Sequence, residues 1–522
     1  MTNYVRIILG FSILGCLIGL FLFFKSDEKK TLTEKIRLDE LESLSLSETS
    51  EVISKLNQLN QEDELSFKEK ILLIELQLDF PETTADPKVM ASLEEIDPSN
   101  PDFLILETCY LFSEGNQSAL LEKLLRLTQE YPENLRAKYE YNKRAFIHLD
   151  IEGRLLAKKQ LNDLARKEGR WGYKARQVLC FSPPMRGYLK EDLLASIDLL
   201  HTHPLVTSID YLKGCELKMI LDEKYQVKDF FTQIERMLGA RVKSLDYATW
   251  LLKLGFPEKA LSIVSDLSAT SDADAFFLRF MALLDTKKNN EATSLINRSS
   301  LILSQSEIDR ADSYLKIALG DLETLKKRIK NIESSSAEHF LTLSRMALFK
   351  GLEDEARTAF DRAWRINPNR FSLSQANQYL QISLAAKQTE KAYSITKNIY
   401  SRYPFKYGNI NNFCYLSLLL GINEREAQKL IDSTVQAVPN NPAFLSTLAL
   451  ANLLSGNPRQ AMENMQKRGI PQLVHSERAI LAVIFHQLGD RERGVKMAAT
   501  VPKQRLLPEE LKLLLEHDLV AH

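Results

Sequence analysis

Glycine and proline are scarce, at 19 and 17 in 522 residues. So few turn formers do not suit many strands joined by hairpins; they suit helices joined by short turns. An excess of charge of either sign is also missing, with 68 Lys and Arg against 69 Asp and Glu and a formal net charge of −1. Neutralising phosphates needs a basic face, so no nucleic acid is expected as a partner. Cysteine is rare. Cys16, Cys109, Cys180, Cys215 and Cys414 lie far apart, form no CxxC pair and have no His at ligand spacing. That pattern implies neither a disulfide framework nor a zinc site, but small apolar residues in a helical core.

Motifs that carry chemistry are missing too. GxxxxGK, GxGxxG, GxSxG and HExxH do not occur. Among the eight histidines only His201 and His203 are closely paired, and a turn ahead of Pro204 accounts for them better than a metal does. Asp and Glu lie among Lys and Arg at helical spacing, as on a solvated helix face. Trp171, Trp250 and Trp364 are too scattered for an aromatic cage and suit inter-helix packing. The expectation is a chain that is not an enzyme and takes no cofactor and no metal.

What the chain does have begins with a long apolar run. Residues 7–24 read IILGFSILGCLIGLFLFF without a charge, and Tyr4 and Val5 extend it. About 20 helical residues match a hydrocarbon core of roughly 30 Å. A membrane anchor over residues 4–24 is therefore expected, giving a single-pass protein of a bacterial plasma (inner) membrane. The polar Lys25-Ser26-Asp27 that follows argues against a cleaved signal peptide, and the apolar LIGLFLFF after Cys16 argues against lipidation there. Counting Lys and Arg around the run favours a cytoplasmic C-terminal portion, although long domains translocate regardless of charge.

The rest of the chain is too long for one ordinary domain and repeats itself. Residues 337–370 read AEHFLTLSRMALFKGLEDEARTAFDRAWRINPNR, residues 442–468 read PAFLSTLALANLLSGNPRQAMENMQKR, and residues 101–134 read PDFLILETCYLFSEGNQSALLEKLLRLTQEYPEN. Each has an apolar helix, a turn with Gly351, Gly456 or Gly115, and a second apolar helix; Pro368 and Pro132 close two of them. These segments resemble the tetratricopeptide repeat (TPR) family, through Phe340, Leu343, Ser344, Ala347, Gly351, Ala356, Phe360, Ala363 and Pro368 in the first. In the second the matching residues are Leu445, Leu448, Ala449, Gly456, Ala461 and Met465. Small residues let antiparallel helices approach and large ones fill the space between them. The position that opens the second helix recurs at Ala260, Ala292, Leu325, Ala356, Ala392, Ala427, Ala461 and Gly494. Successive differences of those numbers are 32, 33, 31, 36, 35, 34 and 33, against a family period of about 34.

The expected fold is all-α: an α-solenoid of antiparallel helix pairs, a TPR-like superhelix, preceded by one transmembrane helix. Its parts are an anchor (1–26), a charged helical or partly disordered spacer (27–64) and TPR-like repeats (65–134). Degenerate helical repeats or an inserted helical module (135–240), the main repeat array (241–500) and a C-terminal capping helix (501–522) complete it. In the last part Pro508 suits a first helical turn, followed by Glu509 and Glu510 where the helix dipole favours anions.

The resemblance implies binding of partner proteins in a concave groove lined by first helices. By that analogy the groove candidates are Glu338, Leu341, Arg345, Leu348 and Phe349 in one repeat, with Ala443, Ser446, Leu450, Leu453 and Leu454 in another. The set is mixed to apolar, and apart from Arg345 it lacks the Lys, Asn and Arg with which some family members grip a C-terminal carboxylate. An extended or helical apolar segment of a protein partner fits it better. The resulting expectation is an interaction scaffold or assembly factor. The alternative is a cell-envelope enzyme, for example a cell-wall lytic one, with a catalytic module hidden in 135–240.

Overall fold

The computed structural model describes residues 37–520, apart from 43, 47, 63, 80–84, 112–116, 183–189, 223, 331–335, 404–405 and 470–472. The apolar run at 4–24, the turn at Gly115 and most of residues 181–188 lie outside the described residues. The chain forms two compact units. One holds the described residues up to Lys218 with Gln226–Val242, and the other holds Met219–Tyr225 and the chain from Lys243 on.

The first unit contains α1 (Thr49–Gln61), α2 (Phe67–Asp79), α3 (Pro87–Ile96), α4 (Pro101–Leu111), α5 (Gln117–Glu130) and α6 (Leu135–His148). It continues with α7 (Ile151–Ala165), α8 (Arg170–Phe181), α9 (Lys190–His201), α10 (Ser208–Leu221, whose end from Met219 on belongs to the second unit) and α11 (Val227–Glu235). From α2 onward these form antiparallel pairs whose first helices open at Phe67, Pro101, Leu135, Arg170 and Ser208. Asn100 and Asn134 cap two of those openings: the Asn100 side chain accepts from the Asp102 amide at 3.0 Å, and that of Asn134 from the Ala137 amide at 2.9 Å. Residues 135–235 thus fold as three further helix pairs. Helix α1 joins the same core, with Val52, Ile53 and Leu56 buried in one apolar cluster with Leu72, Ile74 and Leu93.

The second unit opens with α12 (Ser244–Lys253), α13 (Pro257–Ile263), α14 (Asp266–Ala269), α15 (Ala273–Asp285), α16 (Asn289–Arg298) and α17 (Gln305–Leu319). Next come α18 (Leu322–Lys330), α19 (Ala337–Phe349), α20 (Glu353–Ile366), α21 (Leu373–Ala385), α22 (Thr389–Arg402) and α23 (Tyr407–Leu420). The last are α24 (Glu424–Ala437), α25 (Pro442–Leu454), α26 (Pro458–Arg468), α27 (His475–Gln487), α28 (Arg491–Ala499) and α29 (Pro508–Glu516). Among the described residues the only β-feature is an isolated bridge between Leu238 and Val242.

The local chemistry explains the pairing. Ser304 and Glu307 cap α17 reciprocally, with the Ser304 amide donating to Glu307 at 2.8 Å and the Glu307 amide to the Ser304 hydroxyl at 3.4 Å. Pro442 and Pro458 stand at helix openings, where their missing N–H costs nothing. Gly351 and Gly456 take φ of +72° and +76° in the turns between paired helices, a conformation that penalises any Cβ. The recurring position, small everywhere except at Leu325, lies in the first turns of α13, α16, α18, α20, α22, α24, α26 and α28. All eight are buried, from Ala260 to Gly494. At Gly494 the approach is close, since an added Cβ would stand 2.9 Å from the carbonyl oxygen of Ala482. The fold of the described residues is therefore a TPR-like helical repeat in both units.

The membrane expectation is corrected. Among the described residues no helix is long and apolar enough to cross a membrane. The physical reason is length: Ile151–Ala165 and Gln305–Leu319, the longest of the helices above, have 15 residues each, where a span needs about 20.

Candidate functional site

Two inner faces carry the polar chemistry, one in each unit. In the first unit, side chains of the first helices α2, α6 and α8 meet in a charged lattice. Glu75 on α2 is buried and accepts from Arg136 at 2.6 Å, from Arg170 at 2.8 Å and from Lys174. Asp79, one turn on, is paired with Lys143 and Lys174, both at 2.9 Å. Trp171 and Tyr139 pack beside this lattice with ring centroids 5.4 Å apart, and the Arg136 guanidinium lies 5.2 Å from the Trp171 ring.

Electrostatics follow from that geometry. Burial alone would raise the Glu75 carboxyl, but Lys174, Arg170 and Arg136 outweigh it and hold it down at about 2. Asp79 is likewise held below the carboxylate range, by Lys174 and Lys143 against burial. Burial pushes the Tyr139 phenol up to about 12. Glu75 and Asp79 are thus ionised throughout the neutral range, and their ion pairs pin α2 against α6 and α8.

The paired histidines are structural in this unit. His201 stacks on Tyr211 at 4.1 Å between centroids, and its Nε2 meets the Tyr211 carbonyl at 3.0 Å. His203 Nδ1 accepts from the Leu205 amide at 3.0 Å, closing the turn ahead of α10. Burial, then Lys218, depresses His201 to about 4, so it is neutral near pH 7. Gly214 makes the stack fit, because a Cβ there would lie 2.2 Å from His201 Nε2. Gly214→Ala is expected to expel the imidazole and cost about 1–3 kcal/mol. Faster amide hydrogen exchange across α9 and α10 would show it; unchanged exchange would contradict this packing. No group of three or more metal-ligating side chains occurs among the described residues.

In the second unit a cavity of about 450 Å³ opens on the first helices α21 and α23. Leu380, Leu384 and Leu416 form its floor, and Gln381 and Asn412 add amides. The remaining lining comes from Arg505, Leu507 and Glu510 in the chain after α28, and from Val474, His475 and Ser476 at the start of α27. This closing segment is fastened by polar contacts. Thr389 donates to Glu509 at 2.5 Å, the Tyr415 hydroxyl donates to Glu510, and the Leu507 amide donates to Glu510 at 2.8 Å. Burial raises Glu510, and burial with the Glu510 charge raises Tyr415 well above its ordinary range. Leu506, Leu514 and Leu519 bury into the cluster of α25 and α27, so α29 covers the last pairs from their inner side.

The residues expected in a groove fall elsewhere. Glu338 is paired with Arg370 at 3.2 Å, and Arg345 with Asp285 at 2.8 Å. Leu341, Ser446, Leu450 and Leu453 are buried, and the Ser446 hydroxyl donates to Glu477. Leu348 is half-buried and Ala443 exposed. Phe349 and Leu454 reach solvent, at 72% and 40% exposure. Helix α25 is buried from Phe444 to Leu453, which is what apolar character all round a helix means. None of the ten lines the cavity. Its residues escaped the sequence reading because α21 and α23 keep mixed polar faces. The one available signal was apolar Leu506-Leu507 ahead of a helix opening at Pro508.

No known family model matches the chain, and no curated protein matches it in sequence. Solved structures with similarity include the Cut9–Hcn1 hetero-tetramer of the APC/C, at 13% identity over 87% of this chain and 96% of that one, TM-score 0.27. Naa15/Naa10 bound to HypK-THB gives 12% identity over 86% and 70%, TM-score 0.24. The P58(IPK) TPR domain gives 12% over 83% and 99%, TM-score 0.17. With these scores below 0.5, the fold assignment rests on the helix pairs described above.

Proposed function

We propose that the chain is a protein-interaction scaffold whose second unit receives a partner segment on the inner face of α21 and α23. The observation that carries this reading is the cavity itself. It is bounded by the first helices of two successive pairs, has an apolar floor and an amide-bearing edge, and falls within the roughly 300–1,000 Å³ of ordinary ligand sites. Stacked helix pairs hold such a surface in place before binding, so a docking segment loses mainly its own entropy. Extended and helical peptides both use apolar anchors with polar edges in this way.

The test is chemical crosslinking in source cells followed by affinity capture, comparing the natural chain with Gln381→Trp. Gln381 is exposed at the cavity edge, so an indole there obstructs the cavity without entering the core. A protein captured near stoichiometrically by the natural chain and depleted by Gln381→Trp is the expected result. Capture unaffected by the substitution would move binding away from α21 and α23, and capture of no protein would contradict the scaffold reading.

A further inference from the structure

The polar groups around the cavity are unequally committed. Glu510 faces it, but its carboxylate is engaged by the Tyr415 hydroxyl and the Leu507 amide. Glu509, beside it, accepts from Thr389. The acidic groups of the wall therefore serve to fasten the closing segment. The other polar groups are different. Arg505 is exposed on a short 3-10 turn, Lys503–Arg505, held by its own amide to the Pro502 carbonyl at 2.9 Å. His475 keeps a buried Nδ1 that has no hydrogen-bond partner. Gln381 and Asn412 present exposed amides next to the leucine floor.

We infer that the cavity takes a protein segment carrying a large apolar side chain beside an Asp or Glu. The apolar group enters between Leu384 and Leu416, and the carboxylate pairs with Arg505. The amides of Gln381 and Asn412 meet the segment's backbone. This rests on the scaffold reading and adds the chemistry of the partner. A planar guanidinium on an exposed turn is suited to a carboxylate, which it can grip through two parallel N–H donors. A hydrocarbon chain fits less well, since it would cover the two amides and offer them no partner. A basic segment would meet Arg505 with like charge.

The experiment selects a phage-displayed library of random peptides on the full chain, on Arg505→Glu and on Gln381→Trp, each first shown to melt like the natural protein. The natural chain is expected to enrich peptides with Leu, Ile, Met or Phe next to Asp or Glu. Arg505→Glu should keep the apolar residue but exchange its acidic neighbour for Lys or Arg. Gln381→Trp should lower recovery about tenfold, the change that about 1.4 kcal/mol produces. Enrichment of neutral or basic peptides by the natural chain, or no change of preference in Arg505→Glu, would overturn the inference and leave the scaffold reading standing. Decanoate binding to the cavity with no peptide enriched would assign it to an amphiphile and overturn both. Enrichment of nothing, with no decanoate binding, would also count against both.

Discussion

Replacing Ala356 by glutamate is expected to unfold the pair α19–α20 and to fray its neighbours. Ala356 is fully buried in the first turn of α20, in one cluster with Phe340, Leu343, Ala347 and Phe360. The helices approach closely there because the side chain is a methyl group. A glutamate must either force them apart or lose its hydration without a cation to replace it. A loss of about 4 kcal/mol or more follows, the range reserved for buried unpaired charges and broken cores. Because each repeat leans on the next, the damage spreads to α18 and α21 before it reaches the far end of the unit. Hydrogen exchange would register it as loss of protection in α18, α19, α20 and α21, together with a lowered urea midpoint. A variant with the natural midpoint would place Ala356 outside any helix contact. Ala461→Glu is the parallel case in α26, since Ala461 is equally buried.

Glu75→Gln should have an effect of similar size in the first unit. The carboxylate is ringed by Arg136, Arg170 and Lys174, and the isosteric amide leaves three buried or nearly buried cations without their central counter-charge. Removing one member of a buried ion network costs about 3–5 kcal/mol, chiefly through the charges left behind. Adding Lys174→Met to Glu75→Gln should recover part of that loss, which a purely steric role for Glu75 would not produce. The same geometry sets the acid limit of the unit. Glu75 is held at about 2 in the fold against an ordinary 4.5. Its contribution is complete above about 4.5 and drains away as the pH falls toward 2, because the unfolded chain then binds the extra proton more readily. Acid titration followed by tryptophan fluorescence should report this through Trp171, which packs beside the lattice. In Glu75→Gln the acid-dependent loss between those limits should shrink. An unchanged acid profile would mean that Glu75 is not the controlling group.

The sequence made the second unit legible for a specific reason. A small residue opens nearly every second helix there, Leu325 excepted, so Ala260, Ala292, Ala356, Ala392, Ala427 and Ala461 mark the period directly. The first unit obeys the same spacing but not the same side-chain rule. Its second helices bury Leu93, Leu120, Leu124, Leu161 and Ile197, and large residues do not stand out from any other apolar helix. Its phase is carried instead by the caps at Asn100 and Asn134, a weaker signal.

The charged lattice was not legible at all. Glu75 and Lys174 are 99 positions apart, and each looks locally like an ordinary exposed helix charge. The sequence does not separate groove from core on α25, because an apolar residue on a first helix faces either a partner or the rest of the protein. Leu450 and Leu453 face the rest of the protein. The cavity depends on a segment, Arg505 to Glu510, that returns from far along the chain: the Tyr415–Glu510 and Thr389–Glu509 bonds span 95 and 120 positions.

Hydrogen exchange of the full chain, with and without the peptide most enriched by library selection, tests the central claim most directly. The account predicts added protection in α21, α23 and residues 503–516, and none in the charged lattice of α2, α6 and α8. Protection confined to other helices, or no protection with saturating peptide, would contradict it.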